Sequence, residues 1–244
     1  MYEGMLAETV TVVGHGGDQI PAYLARPLGG GPFSGVVVIH HAPGWDEATK
    51  EITRRFAHHG YAAICPNLHH REAPGRSPDD AAAAVRAGGG VPDERLLGDV
   101  EGARRHLGAA PNASGTVACI GYCSGGRQAF LAAAELPLDA AIVCYGAVIA
   151  GEPPPGRDIR PVIDRAAGIS GPMLGLSGAE DQYPSPAVVG TIDAELTRLG
   201  KPHEFHILPD AGHGFFATDR TSYRVEAANE GWRLIWDFLA RTLS

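Results

Sequence analysis

Apolar positions along this chain switch between two spacings, and the switches mark the elements. "AETVTVV" and "QIPAYLARP" alternate apolar and polar residues on either side of "GHGGD", which predicts a β-hairpin closed by a glycine turn. "GVVVIHH" (35–41) is a continuous β-branched run, as expected of a strand buried on both faces of a mostly parallel sheet. Beyond it, helical and strand patterns alternate. Helices are predicted over 47–59, 93–107, 124–136, 186–199 and 221–241. Strands are predicted at 61–65, in "TVACIGY", in "AAIVCYG", in "PMLGLSG" and in "HEFHILP". Such an order predicts an α/β protein: three layers, a mostly parallel central sheet and an N-terminal β-hairpin. In the last helix, Trp232, Leu234, Ile235, Phe238 and Leu239 form an apolar stripe for packing on the sheet.

Two segments interrupt the rhythm. Residues 71–92 mix Pro, Gly and Asp with an alanine run, and read as a loop with a short helix. Residues 151–168 are proline-rich and lie between two strands, and connections that long are uncommon unless functional or mobile. Neither a repeat nor a second composition is visible, so 1–244 reads as a single domain.

Charge removes several classes. A net charge of −8 leaves no basic stripe to displace phosphate counterions, which argues against a nucleic-acid partner. The first residues carry no basic start or long apolar run, so neither a signal peptide nor a membrane span is expected. Four cysteines, Cys65, Cys119, Cys123 and Cys144, have no zinc spacing, and a chain this long needs no disulfide staples; they suit a reducing cytoplasm. Paired histidines at 40–41, 58–59 and 69–70 point to opposite faces on a strand or diverge on a helix. They chelate poorly, so no metal is expected.

Three cysteines end or interrupt apolar strand runs and read as small core residues. Cys123 differs. In "GYCSGG" (121–126) it sits between a buried strand and an alanine-rich helix, with Gly121 and Gly125 two residues to either side and Gly126 next. A side chain at such a corner is held in a strained turn that presents it, and the small neighbours make the turn possible. The helix N-terminus beneath the sulfur favours thiolate. This pattern reads as a nucleophile. A base candidate is His213, between glycines in the loop after the last strand, whereas His203 and His206 lie within that strand. Acid candidates are Asp181 and its neighbour Glu180, which follow strand 172–177.

The hairpin, "GYAAICPNL", "GYCSGG", "SGAEDQYP" and "AGHGF" together resemble the dienelactone hydrolase (carboxymethylenebutenolidase) family, whose fold is the α/β-hydrolase fold, over nearly the whole chain. The resemblance implies a triad of Cys123, Asp181 and His213, and an oxyanion hole from the backbone N–H groups of Ser124 and Ala42. It implies a small ester or lactone substrate, a thioester acyl-enzyme and no cofactor. His41, Trp45, Tyr145 and Phe215 are expected to line the pocket, in a monomer or small homo-oligomer. Two positions depart from the family. His41 stands where members with dienelactone activity carry a glutamate, and Ala217 stands where one carboxylate-binding arginine is found. Arg86, Arg95 and Arg220 are the candidates to replace that arginine. The alternatives are a carboxylesterase or thioesterase for another acyl group, and a non-catalytic ligand-binding protein on the same scaffold.

Overall fold

Strands that must be covered on both faces show it in their burial. In the computed structural model, which describes residues 4–156 and 158–243, every residue of β4 (Ala62–Pro66), β6 (Ala140–Cys144) and β7 (Met173–Gly178) is buried. In β3 (Phe33–Ile39) only Ser34 is not. These are the β-branched and alanine-rich runs, and their apolar side chains have no polar alternate to turn toward water. By contrast β1 (Met5–Val13) and β2 (Gln19–Pro27) alternate, and β8 (His203–Leu208) is mostly half-buried.

Two compact units divide the chain, Met1–Ala118 and Cys119–Ser244. In the first, the strands lie in the order β1-β2-β4-β3. β1 and β2 form the expected antiparallel hairpin, with Val12 opposite Ile20. β2 is antiparallel to β4, and β3 is parallel to β4 with Gly35 opposite Ala62. Helix α1 (Glu47–His58) packs on β2 and β4, and α3 (Asp93–Gly108) on β3 and β4. Between them α2 (Pro78–Ala87) is the short helix of the irregular stretch, capped by Ser77 and started by Pro78. A buried Asp99, with no solvent exposure, takes a two-pronged hydrogen bond from Arg71 at 2.7 and 2.9 Å and another from the His15 N–H.

The second unit holds β5 (Ala113–Tyr122, from Cys119 onward), β6, β7 and β8 in that order. β6, β7 and β8 are parallel, with Ala141 opposite Met173 and Met173 opposite His203. Helix α4 (Ser124–Glu135) lies against β6, α5 (Pro186–Arg198) against β7 and β8, and α6 (Val225–Thr242) against β6 and β7. The apolar stripe of α6 buries Trp232, Ile235, Phe238 and Leu239 as its spacing required, while Leu234 stays outside the buried set. This helix starts at Val225 rather than 221, because the backbone before it is spent on turns, the Tyr223 N–H donating to the Arg220 carbonyl.

The proline-rich segment is anchored rather than loose. A 3-10 helix, Ile163–Gly168, closes it, the Val162 N–H donates to the Ile149 carbonyl, and Arg127 of α4 donates to the Arg160 carbonyl. Arg157 of this segment lies outside the described residues, as do residues 1–3 of the expected leaderless start. No helix among the described residues is long and apolar enough to cross a membrane.

Candidate active site

β5, β7 and β8 each end at a residue that leads into the site, which is where parallel sheets present their loops. After β5 the chain turns sharply into α4. Cys123 takes φ 57° and ψ −118°, a conformation L-residues rarely adopt. Its N–H donates to the Cys144 carbonyl at 3.1 Å, and its carbonyl accepts from the Gly126 N–H at 2.9 Å. The glycines make this turn possible by their missing side chains. A Cβ on Gly121 would collide with the Gly125 carbonyl, and one on Gly126 would lie 2.7 Å from Gly146 Cα and 2.8 Å from the Cys144 oxygen. Cys123 is half-buried at the N-terminus of a twelve-residue helix whose first residue is Ser124. Cys65, Cys119 and Cys144 are buried inside strands, and burial pushes their thiols up, that of Cys119 to about 12.

His213 and Asp181 meet. Asp181 Oδ2 lies 2.9 Å from His213 Nδ1, and Oδ1 accepts the Tyr183 N–H at 2.8 Å. With Nδ1 so engaged, Nε2 is the ring atom left for Cys123, to which His213 is also hydrogen-bonded. Burial of the imidazole would lower its pKa, but the hydrogen bonds to Asp181 and Cys123 and their negative charge overcome it and push it up to about 10. Glu180 is exposed; its contribution is a backbone N–H donated to the Ala211 carbonyl. His203 is held by the Lys201 carbonyl and Asp193, and His206 stays within β8.

Tyr145 and Phe215 are buried rather than open, with 3% and 0% exposure. Tyr145 packs at 5.1 Å between ring centroids on both His213 and Phe215, and Phe216 continues the cluster to Trp232.

The first unit holds His41, Ala42 and Trp45. Just past β3, His41 Nε2 lies 2.6 Å from Asp46 Oδ2, and a turn closed by the Gly44 N–H on the His41 carbonyl contains Ala42. Trp45 donates its indole N–H to the Cys65 carbonyl, with the Lys50 ammonium 4.2 Å from its ring. The sequence reading missed Asp46, although an acidic residue before "EATKE" is a recognisable helix N-cap. Of the candidate arginines, Arg95 is paired with Glu72, Arg86 closes α2, and Arg220 lies 3.9 Å from Asp219. No group of three or more His, Cys, Asp and Glu among the described residues could hold a metal ion.

Mostly parallel strands with covering helices, a strained strand-to-helix turn, and an acid and a histidine on later loops define an α/β-hydrolase. The family model described as "Dienelactone hydrolase family" matches residues 20–243. A Methylorubrum extorquens protein named "Putative carboxymethylenebutenolidase" is 33% identical over 96% of this chain and 81% of its own length. One of the same name from Escherichia coli K12 is 35% identical over 89% and 80%. The crystal structure of a "Putative Dienelactone Hydrolase" from Klebsiella pneumoniae superposes with a TM-score of 0.84 at 30% identity, covering 98% of this chain and 99% of that one. The chain belongs to the dienelactone hydrolase family: it is a carboxylic ester hydrolase acting on a small-molecule substrate.

Proposed function

We propose that this enzyme hydrolyses a small ester or lactone with Cys123 as nucleophile and a thioester acyl-enzyme as intermediate. One observation carries the reading: the Asp181–His213 pair converges on the one cysteine held in a strained turn at a helix N-terminus. Asp181 fixes the imidazole with Nε2 toward the sulfur, and His213 holds the thiol proton as an imidazolium beside a thiolate. The sulfur attacks the substrate carbonyl. As the tetrahedral intermediate collapses, His213 gives its proton to the leaving alkoxide, and the thioester remains. The neutral imidazole then takes a proton from water, which attacks the thioester; the C–S bond breaks, the acid leaves, and the thiolate is again paired with the imidazolium that kept the proton. The developing oxyanion is met by the Ser124 N–H at the start of α4. Loss of one such donor costs about 100-fold or more in rate. The family match runs from 20 to 243 without a break, which supports one catalytic domain.

Chromophore release from a short-chain aryl ester, together with a panel of lactones that includes a dienelactone, tests the reading. Wild type turns over, Cys123→Ala does not, and mass spectrometry of the acid-quenched, digested enzyme shows the acyl adduct on the peptide containing Cys123. A stable adduct with no turnover would instead favour a binding protein on this scaffold. Unchanged turnover in Cys123→Ala would remove cysteine as the nucleophile.

A further inference from the structure

Tyr145 has no role in the chemistry above, yet it touches every arm of the site. It follows β6 directly and holds a non-glycine φ of 39°. Its N–H donates at 2.6 Å to the Leu176 carbonyl, on the strand that leads to Asp181. Its ring lies 6.2 Å from that of Tyr122, the residue before Cys123, and 5.1 Å from the His213 imidazole at an interplanar angle of 63°. Phe215 and Phe216 close on its other sides at 5.1 and 6.3 Å.

The phenol itself is not an acid for the reaction. Burial above all drives its pKa well above the ordinary value, against an opposing hydrogen bond from the Phe216 backbone. What Tyr145 offers is therefore its ring.

His213 needs such a ring. It sits in "GHG", where Gly214 has φ 80° and the backbone restrains the side chain little. The imidazole is about a third exposed, and its bonds to Asp181 and Cys123 both act at ring nitrogens, so the ring can still turn about the line that joins them. A further contact, on the ring face, is needed to fix that plane and keep Nε2 aimed at the sulfur while Nδ1 stays on Asp181. We propose that Tyr145 is the positioning residue that supplies this contact, its buried ring fixing the plane of the His213 imidazole. The assignment rests on the Cys123–His213 pair proposed above.

The experiment is alkylation of Cys123 by iodoacetamide across pH, with steady-state kinetics, in wild type, Tyr145→Phe, Tyr145→Leu and Phe215→Leu. The other three cysteines are buried with raised pKa values, so the reaction reports on Cys123. Wild type should show an inflection well below the ordinary thiol value of about 8.5. An ordinary inflection there would fail the thiolate reading itself, whatever Tyr145 does. Given a low wild-type inflection, Tyr145→Leu should raise it by about one unit. It should also lower kcat about 10- to 100-fold with KM within roughly threefold, as misplacement of a catalytic group does. Tyr145→Phe, which keeps the ring, should stay at wild-type values. Phe215→Leu removes a comparable ring from the same cluster without the His213 contact, and should leave the inflection in place. Three results would each overturn the assignment: an unmoved inflection in Tyr145→Leu, a phenylalanine variant as impaired as the leucine one, or an equal shift in Phe215→Leu. Tyr145→Met, which fills similar space without a ring, reads the same contrast if the leucine variant does not fold.

Discussion

Asp181 spends both carboxylate oxygens, Oδ2 on His213 Nδ1 at 2.9 Å and Oδ1 on the Tyr183 N–H at 2.8 Å. The second bond matters because it stops the carboxylate from rotating away from the imidazole. At 4% exposure the group has little water to turn to instead.

Asp181→Asn should therefore lower kcat by about 1,000-fold or more, with little change in KM, because an amide offers its N–H where an acceptor is required and selects the wrong imidazole tautomer. The carboxylate is also one of the groups that hold the His213 pKa at about 10. Its removal should bring the His213 titration down, read from the imidazole resonances by NMR. A variant within threefold of wild type would mean that the pair is structural only.

The turn at Cys123 makes a prediction from space alone. Gly126→Ala places a methyl 2.7 Å from Gly146 Cα and 2.8 Å from the Cys144 oxygen, backbone atoms that cannot step aside without moving β6 from α4. Overpacking of this kind costs about 1–3 kcal/mol, and Cys123 should lose its geometry with it. Gly190 is the contrast, exposed inside α5 with nothing within 4 Å of its would-be Cβ. Gly190→Ala should gain roughly 0.5–1 kcal/mol from helix propensity and leave turnover alone. Urea unfolding of the two variants beside wild type decides it; equal effects would show that the close approach of α4 and β6 is not needed.

Cys123, Asp181 and His213 stood out as candidates because each carries a local signature: a glycine-flanked corner, a strand end before a helix, a histidine between glycines. The buried strands were legible for a related reason, since runs such as "GVVVI" leave no polar face. What stayed hidden needed three dimensions. Tyr145 and Phe215 read as pocket residues, but the Tyr145 ring packs on His213 and the Phe215 ring on Tyr145, and no linear pattern distinguishes an aromatic ring facing ligand from one facing a neighbour's ring. His41 looked like a departure to be explained alone, whereas its partner Asp46 comes from the loop that caps α1. The 3-10 turn at 163–168 escaped because its hydrogen bonds close over three residues, too short for an apolar period to register.

Asp46 does two jobs, and they can be separated. Oδ1 accepts from the Thr49 N–H at 2.9 Å and the Thr49 hydroxyl at 2.8 Å, which caps α1, while Oδ2 holds His41. Asp46→Ala should cost about 1–2 kcal/mol through the cap alone, and Asp46→Asn less, because asparagine also caps. Burial raises the carboxyl pKa, but the bonds from His41 and Thr49 outweigh it and hold it well below the ordinary 3.8. A depressed folded value means that the stabilisation is present above about 3.8 and fades as pH falls through the lower folded value. The gap between wild type and Asp46→Ala in urea should thus be constant from pH 7 to 5 and narrow below pH 4. A gap that widens on acidification would be inconsistent with this pairing.

His40 predicts a loss of stability that begins at higher pH on the same acid limb. Its ring is 2% exposed, Nε2 accepts the Leu68 N–H at 3.2 Å, and Nδ1 lies 3.0 Å from the His41 carbonyl, so the neutral tautomer with the proton on Nδ1 satisfies both. A second proton has no lone pair to take without breaking the Leu68 bond. Burial, reinforced by the nearby His69, lowers the pKa to about 3, and burial lowers that of His69 to about 4. Between the ordinary value of 6.5 and these folded values, the unfolded chain binds protons that the folded chain refuses. Stability should accordingly fall as pH drops through that window, by up to roughly 1.4 kcal/mol per pH unit for each histidine. His40→Gln keeps a carbonyl for the Leu68 N–H and removes one titration. It should be less stable than wild type at pH 7, and the difference should shrink steadily toward pH 4 in urea unfolding. Parallel stability curves over that range would place the acid sensitivity elsewhere.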